Sequence, residues 1–213
     1  PKTSDLVFSK SSKDSFAGFV GTGSAKKDFN YPRPYFNKEN EGVDRTIGGD
    51  TDLNGLSSTL DIKRIPMINI DGQEYGEDYT DYQEPSQSFP SGHTTFAFTQ
   101  GAGLAYLLPE LGPEIMTRVS EAGNNRIVLG VHYPLDIMGG HIAGQYGVAT
   151  AVSGEKTAQE GAAARAELVD YLTAQCKADN HGDTLDACIT NTGANAANGY
   201  RNDFTDEVST KPV

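Results

Sequence analysis

The sequence has no tryptophan, only two cysteines, and 17 basic residues against 29 acidic ones across 213 positions. The resulting formal charge of −12 removes the electrostatic basis for holding a polyanion, so neither nucleic acid nor an anionic membrane is an expected partner. No apolar run reaches the roughly 18–20 residues of a membrane span, and no integral membrane segment is expected. Also lacking is any internal repeat of about 20–50 residues, which excludes solenoids and propellers. Apolar residues at 37 % and charged residues at 22 % are those of an ordinary folded chain. A chain of this length buries roughly 70 % of its unfolded surface, enough for one conventional core. A single domain over 1–213 is therefore expected.

The two cysteines, Cys176 and Cys188, fit either a disulfide in a secreted protein or two buried thiols in a cytosolic one. The polar, Gly/Asn-rich flank favours the stapled loop. The sequence opens at Pro1 rather than Met, so a processed product with its leader removed is expected. An extracytoplasmic location, secreted or cell-surface associated, follows from the two together.

Residues 1–60 are rich in Gly, Ser, Asn and Asp and read as loop, with one or two helical turns over 12–20. Residues 59–76 read as extended, and Asp71-Gly72 is the turn signal of a short β-hairpin. Six carboxylates and no Lys or Arg then fall within 71–84, the composition of a solvated loop. From residue 90 the texture becomes helical. Thr94 to Leu108 is apolar on most sides and predicts a buried central helix stopped by Pro109. Gly112-Pro113 opens a second helix with Ile115, Met116, Val119 and Ala122 on its inner face. It either continues through Gly123-Asn124 or breaks there. A third helix starts at Pro134 and runs through Ile137, Met138, Ile142 and Val148. A fourth covers Glu155 to Lys177. Residues 90–178 form the helical core, and 179–213 a polar, irregular tail. The fold class is all-α, a helical bundle.

Three blocks hold the residues that chemistry would use. Lys26 is followed after six residues by Arg33-Pro34; Pro90-Ser91-Gly92-His93 opens the central helix; and Arg126, His132 and Asp136 are separated by five and three residues. Alone, each has an ordinary explanation: surface charge, a loop entering a helix, a structural hydrogen-bond network. Together they suit a phosphate. Lys26, Arg33 and Arg126 supply cations, and the two guanidiniums can donate bidentate hydrogen bonds to oxygens. The free N–H groups at the start of the central helix attract an anion, Gly92 permits close approach, and the Ser91 hydroxyl adds a donor. One helical turn brings Asp136 back to an imidazole nitrogen of His132 and leaves the other nitrogen as a nucleophile. His141 and His181 match no block and read as structural or exposed.

In this order, the blocks resemble the signature of the type 2 phosphatidic acid phosphatase and vanadium haloperoxidase superfamily, with Asn125 where that family usually has Ser. The resemblance covers Lys26 to Asp136, about half the chain. It implies the helical bundle of that family and a phosphomonoesterase, resembling the acid phosphatases, that acts on a small phosphorylated substrate. His132 would form a phosphohistidine, Asp136 would orient it, and His93 would protonate the leaving oxygen and then activate water. Lys26, Arg33, Ser91, Gly92 and Arg126 would bind the phosphate. No cofactor is required on this reading, and vanadate would be an inhibitor. The same residues fit a vanadium-dependent haloperoxidase, with vanadate as its cofactor, and a soluble phosphatase of lipid or cell-wall glycan phosphates. A cell-surface binding module that kept the fold would be expected to lose a catalytic group, and none is lost.

Asp50, Asp52, Asn54 and Asp61, with Gly55, follow the spacing of a calcium loop. Asp61 replaces the usual longer Glu, and convincing flanking helices are missing. An Asx-rich turn explains the same residues. Any calcium bound there would be structural.

Overall fold

The computed structural model describes residues 1–18, 20–31, 33–34, 68–75 and 87–192. Among them are seven α-helices and one hairpin: α1 Lys2–Val7, α2 Gly23–Phe29, β1 Ile68–Ile70, β2 Gln73–Tyr75, α3 Gly92–Leu107, α4 Gly112–Val128, α5 Pro134–Val152, α6 Glu155–Ala178 and α7 Leu185–Thr192. A 3₁₀ turn at Pro109–Leu111 separates α3 from α4. The helical fold class is as expected. No helix among the described residues is long and apolar enough to cross a membrane.

The expected hairpin is present. Ile68 pairs with Tyr75, Asn69 with Glu74 and Ile70 with Gln73. Asp71 at φ 52° and Gly72 at φ 84° both take the left-handed conformation that a two-residue type I′ turn needs. The candidate calcium residues Asp50, Asp52, Asn54 and Asp61, and most of the acidic run, lie outside the described residues.

The chain forms two compact units. One comprises residues 1–19, 99–120 and 146–213; the other comprises 20–98 and 121–145. In the first, Leu6, Val7, Phe16, Leu107, Ala151 and Ala164 form a buried cluster, with Leu104, Val148 and Leu168 packed against it. Burying each large aliphatic or aromatic side chain contributes about 1.5–3 kcal/mol. Helix α1 has no side-chain cap of its own. Instead the Glu167 carboxylate of α6 accepts the Lys2 and Thr3 N–H groups, each at 3.1 Å, and neutralises the exposed donors of the first turn. The segment 12–18, expected to be helical, is a set of turns. Its Phe16 and Ala17 N–H groups bond to the carbonyls of Leu6 and Val7 at the end of α1. The tail is also more ordered than expected. Residues 185–192 form α7, and a Cys176–Cys188 disulfide joins it to the end of α6.

In the second unit, helix ends are set by local chemistry. Ser91 caps α3: its hydroxyl accepts the Thr94 N–H at 3.3 Å and its carbonyl accepts the Thr95 N–H at 3.0 Å. Helix α4 runs unbroken through Gly123-Asn124. Gly123 is buried, and a Cβ there would lie 3.0 Å from the Ile137 side chain, so this glycine permits a helix crossing. Gly130, at φ 71°, ends α4 in a left-handed turn. Gly140 lets α5 approach the start of α3, since a Cβ would fall 2.8 Å from the Ser91 carbonyl oxygen. The close approach is fastened by the Ser91 N–H, which donates to the Asp136 carbonyl at 3.0 Å.

The disulfide closes a loop with a sequence separation of 12 residues, worth about 3 kcal/mol in the chain-entropy view. Reduction is expected to lower the unfolding midpoint in urea correspondingly, and an unchanged midpoint on reduction would contradict this.

Candidate active site

The turn from α4 to α5 builds the core of the site. The Arg126 carbonyl, in the last turn of α4, accepts the N–H groups of Val131 at 3.2 Å and His132 at 3.3 Å. The chain then enters α5 at Pro134, which places Asp136 at the third helical position. From there its carboxylate reaches back as in half of a capping box: Oδ2 accepts the Tyr133 N–H at 2.8 Å. The same oxygen lies 3.1 Å from His132 Nδ1. The three-residue gap between His132 and Asp136 is therefore the geometry of a helix start. His132 is 2 % exposed and Asp136 1 %.

The other imidazole nitrogen fixes the proton positions. Arg33 Nη1 lies 2.7 Å from His132 Nε2 and also donates to the Val131 carbonyl at 3.0 Å. A guanidinium only donates hydrogen bonds. Nε2 therefore presents its lone pair, and the proton of the neutral ring sits on Nδ1, where Asp136 accepts it. Burial lowers the His132 pKa to about 4; the Asp136 hydrogen bond opposes this, and the Arg33 and Lys26 charges reinforce it. The ring is neutral over the whole range above that value.

Lys26, on α2, donates to the main-chain oxygens of Gln87 and Ser88, the latter at 3.1 Å. Its pKa falls to about 7, first by burial and then by the nearby Arg33 charge, with Asp136 acting in the opposite sense. Arg126 is half-buried, and its main chain is bonded to that of His132. Ser91 is fully buried and serves as the α3 cap, with Thr94 donating to it from both N–H and hydroxyl. Gly92 opens α3, and a Cβ there would lie 3.1 Å from the Thr22 hydroxyl, so α2 comes close at this point. His93, the next residue, is exposed in the first turn of α3. Asn125 is exposed, and its carbonyl accepts the Leu129 N–H.

Thus His132, Asp136, Arg33 and Lys26 fall in one connected group, and Ser91 joins it through its N–H bond to Asp136. Gly92 and His93 continue from Ser91 along α3. Ser88 was not singled out by the sequence; it is fully buried and donates its hydroxyl to Asp136 Oδ1 at 3.3 Å. A cavity of about 300 Å³ borders Asp136, lined also by Phe29, Tyr31, Phe89, Tyr133 and Leu135. Its rings meet edge to face, Phe29 on Phe89 at 4.8 Å and Tyr31 on Tyr133 at 5.5 Å. Among the described residues no group of three or more His, Cys, Asp and Glu is placed to hold a metal. His141 is half-buried against Phe98, and burial lowers its pKa. His181 is half-buried and bonds through its main chain to Cys176 and Asn191.

Residues 15–158 match the PAP2 superfamily, and the chain belongs to it. A curated acid phosphatase from Zymomonas mobilis is 40 % identical over 55 residues, which are 26 % of this chain and 21 % of that relative. The chain thus spans about a fifth of that relative's length in the match. No solved structure matches.

A titration of the His132 ring by NMR is expected to give a midpoint near 4, far below that of an ordinary exposed histidine. A midpoint near 6.5 would contradict the buried, cation-flanked environment.

Proposed function

We propose that the chain is a phosphomonoesterase that works through a covalent phosphohistidine and needs no metal. The observation that carries this reading is the buried His132 ring, with its proton held at Asp136 and its Nε2 lone pair facing a guanidinium. Such a ring is a nucleophile ready at acidic and neutral pH. The acid phosphatase likeness favours phosphate ester hydrolysis over the haloperoxidase reading, although vanadate would meet the same donors.

In the first step the Nε2 lone pair attacks phosphorus. The bond from phosphorus to the ester oxygen breaks, and His93 gives that oxygen its proton. Arg33 passes its N–H from Nε2 to a phosphoryl oxygen, freeing the lone pair at the moment an anion arrives. Arg126, Lys26 and the N–H groups at the start of α3 add positive potential, which takes the place of a metal ion in spreading the charge. Asp136 stabilises the Nδ1 proton as the ring becomes cationic. In the second step His93 removes a proton from water and the oxygen attacks phosphorus. The nitrogen–phosphorus bond then breaks, returning the lone pair to Nε2.

The substrate is a small phosphate ester; the leaving alcohol, including a lipid or cell-wall glycan, is a matter for a substrate screen. The Cys176–Cys188 disulfide supports an extracytoplasmic location.

Replacing His132 by Ala is expected to reduce turnover by more than about 10³-fold, because no other group in the site can form the intermediate. Orthovanadate should inhibit competitively, and EDTA should leave activity intact. The pH dependence follows from the two shifted groups together with the proton that His93 must carry in the first step. Below about 4 His132 gains a proton and loses its lone pair; above about 7 Lys26 loses its charge. The rate constant kcat/KM should therefore peak on the acidic side of neutral. Near-normal turnover by H132A, or full dependence on an added divalent metal, would refute the mechanism.

A further inference from the structure

We propose that Ser88 is a positioning residue for phosphoryl transfer, holding the Asp136 carboxylate in the plane that orients His132. The inference rests on the phosphohistidine reading and extends it to a residue outside the motif blocks.

Oδ2 of Asp136 already takes two donors, the Tyr133 N–H and His132 Nδ1. Oδ1 takes the Ser88 hydroxyl at 3.3 Å. Asp136 is 1 % exposed and Ser88 fully buried, so no bulk water stands in for that donor. Lost hydrogen bonds to a buried carboxylate are costly, and one held through a single oxygen can rotate about its Cβ–Cγ bond.

Ser88 is itself held from two sides. Its N–H donates to the Tyr31 carbonyl at 2.8 Å, and its own carbonyl accepts Lys26 Nζ at 3.1 Å. The hydroxyl is thereby presented at a fixed place. Lys26, expected to contact phosphate, has a second use in securing the segment from which Ser88 reaches Asp136. Residue 88 touches neither His132 nor the first turn of α3 by any of these bonds. Its effect passes through Asp136.

The ionisable groups bonded to this carboxylate or acting on the pair it forms are His132 in the turn before α5, Arg33, and Lys26 of α2. None changes when Ser88 becomes Ala. What changes is that Asp136 loses one donor to its charged form. The carboxylate becomes a stronger acceptor toward Nδ1–H and favours the imidazolium. The His132 midpoint should rise, and the acid limb of kcat/KM should move to higher pH with it. The loosened ring should slow the chemical step, while phosphate binding, which Ser88 does not serve, should be spared.

The test is Ser88→Ala in the full chain, assayed with a small phosphate ester and, independently of turnover, by NMR titration of His132. The expected result is a kcat lower by about tenfold or more at unchanged KM, with a midpoint higher by about half a pH unit or more. Ser88→Cys, which keeps the volume with a weaker donor, should fall between Ala and wild type, and it replaces Ser88→Ala if that variant does not fold. An unmoved midpoint overturns the link from Ser88 to His132. A moved midpoint with unchanged kcat overturns the catalytic role. Absence of a phosphorylated histidine in the wild type would instead defeat the functional reading, while the midpoint comparison would still decide the Ser88 contact.

Discussion

Asp136 performs two tasks with one carboxylate oxygen. It accepts the Tyr133 N–H at the start of α5, and it accepts the Nδ1 proton of His132. The first task is the ordinary chemistry of a helix terminus, where unpaired N–H groups favour an acidic residue in the first turn. The second holds the imidazole in one tautomer, with its proton on Nδ1 and its Nε2 lone pair toward Arg33. Because both bonds end on one atom, the helix cannot start in a different register without releasing the imidazole. The left-handed Gly130 and the ring of Pro134 set the turn between α4 and α5, and Gly140 brings the start of α3 against α5.

Burial gives the arrangement its chemical character. His132 and Asp136 are almost wholly removed from water, which penalises the charged ring and keeps a lone pair on Nε2 down to about pH 4. The adjacent Arg33 pushes in the same direction. Its N–H on Nε2 keeps the ring proton on Nδ1. Lys26 is the counterpart on the basic side: burial brings its pKa to about 7, so its charge is present in acidic solution and is lost as pH rises. Burial thus shifts both groups in the same direction, His132 to about 4 and Lys26 to about 7.

Much of this was legible in the sequence because the spacing of the site residues and helix geometry coincide. Arg126, His132 and Asp136 lie on one helix end, one turn and one helix start, so short-range rules apply. Pro134 and Asp71-Gly72 announced a helix and a hairpin by backbone preference alone. The failures came where distant residues decide. Helix α1 has 6 residues and is capped by Glu167, more than 160 positions away. Helix α7 is fastened by a disulfide in a stretch whose composition reads as loop. Gly123-Asn124 left a break or a continuation open; the helix continues, and Gly123 serves a crossing with Ile137. Ser88 looks like any loop serine, and its contact with Asp136 exists only once α5 is in place. The two main-chain carbonyls that hold the Lys26 ammonium could not be read from the sequence either, since they belong to a segment about 60 residues away.

In the proposed mechanism Nε2 of His132 is the atom that receives the phosphoryl group. The most direct test is to quench the enzyme during turnover of a ³²P-labelled phosphate ester, in denaturant at alkaline pH, and to locate the label. The expected result is acid-labile, alkali-stable phosphate on His132, attached at Nε2, with the Nδ1 isomer absent. Turnover with no labelled histidine, or with label on Nδ1 or on another residue, would contradict it.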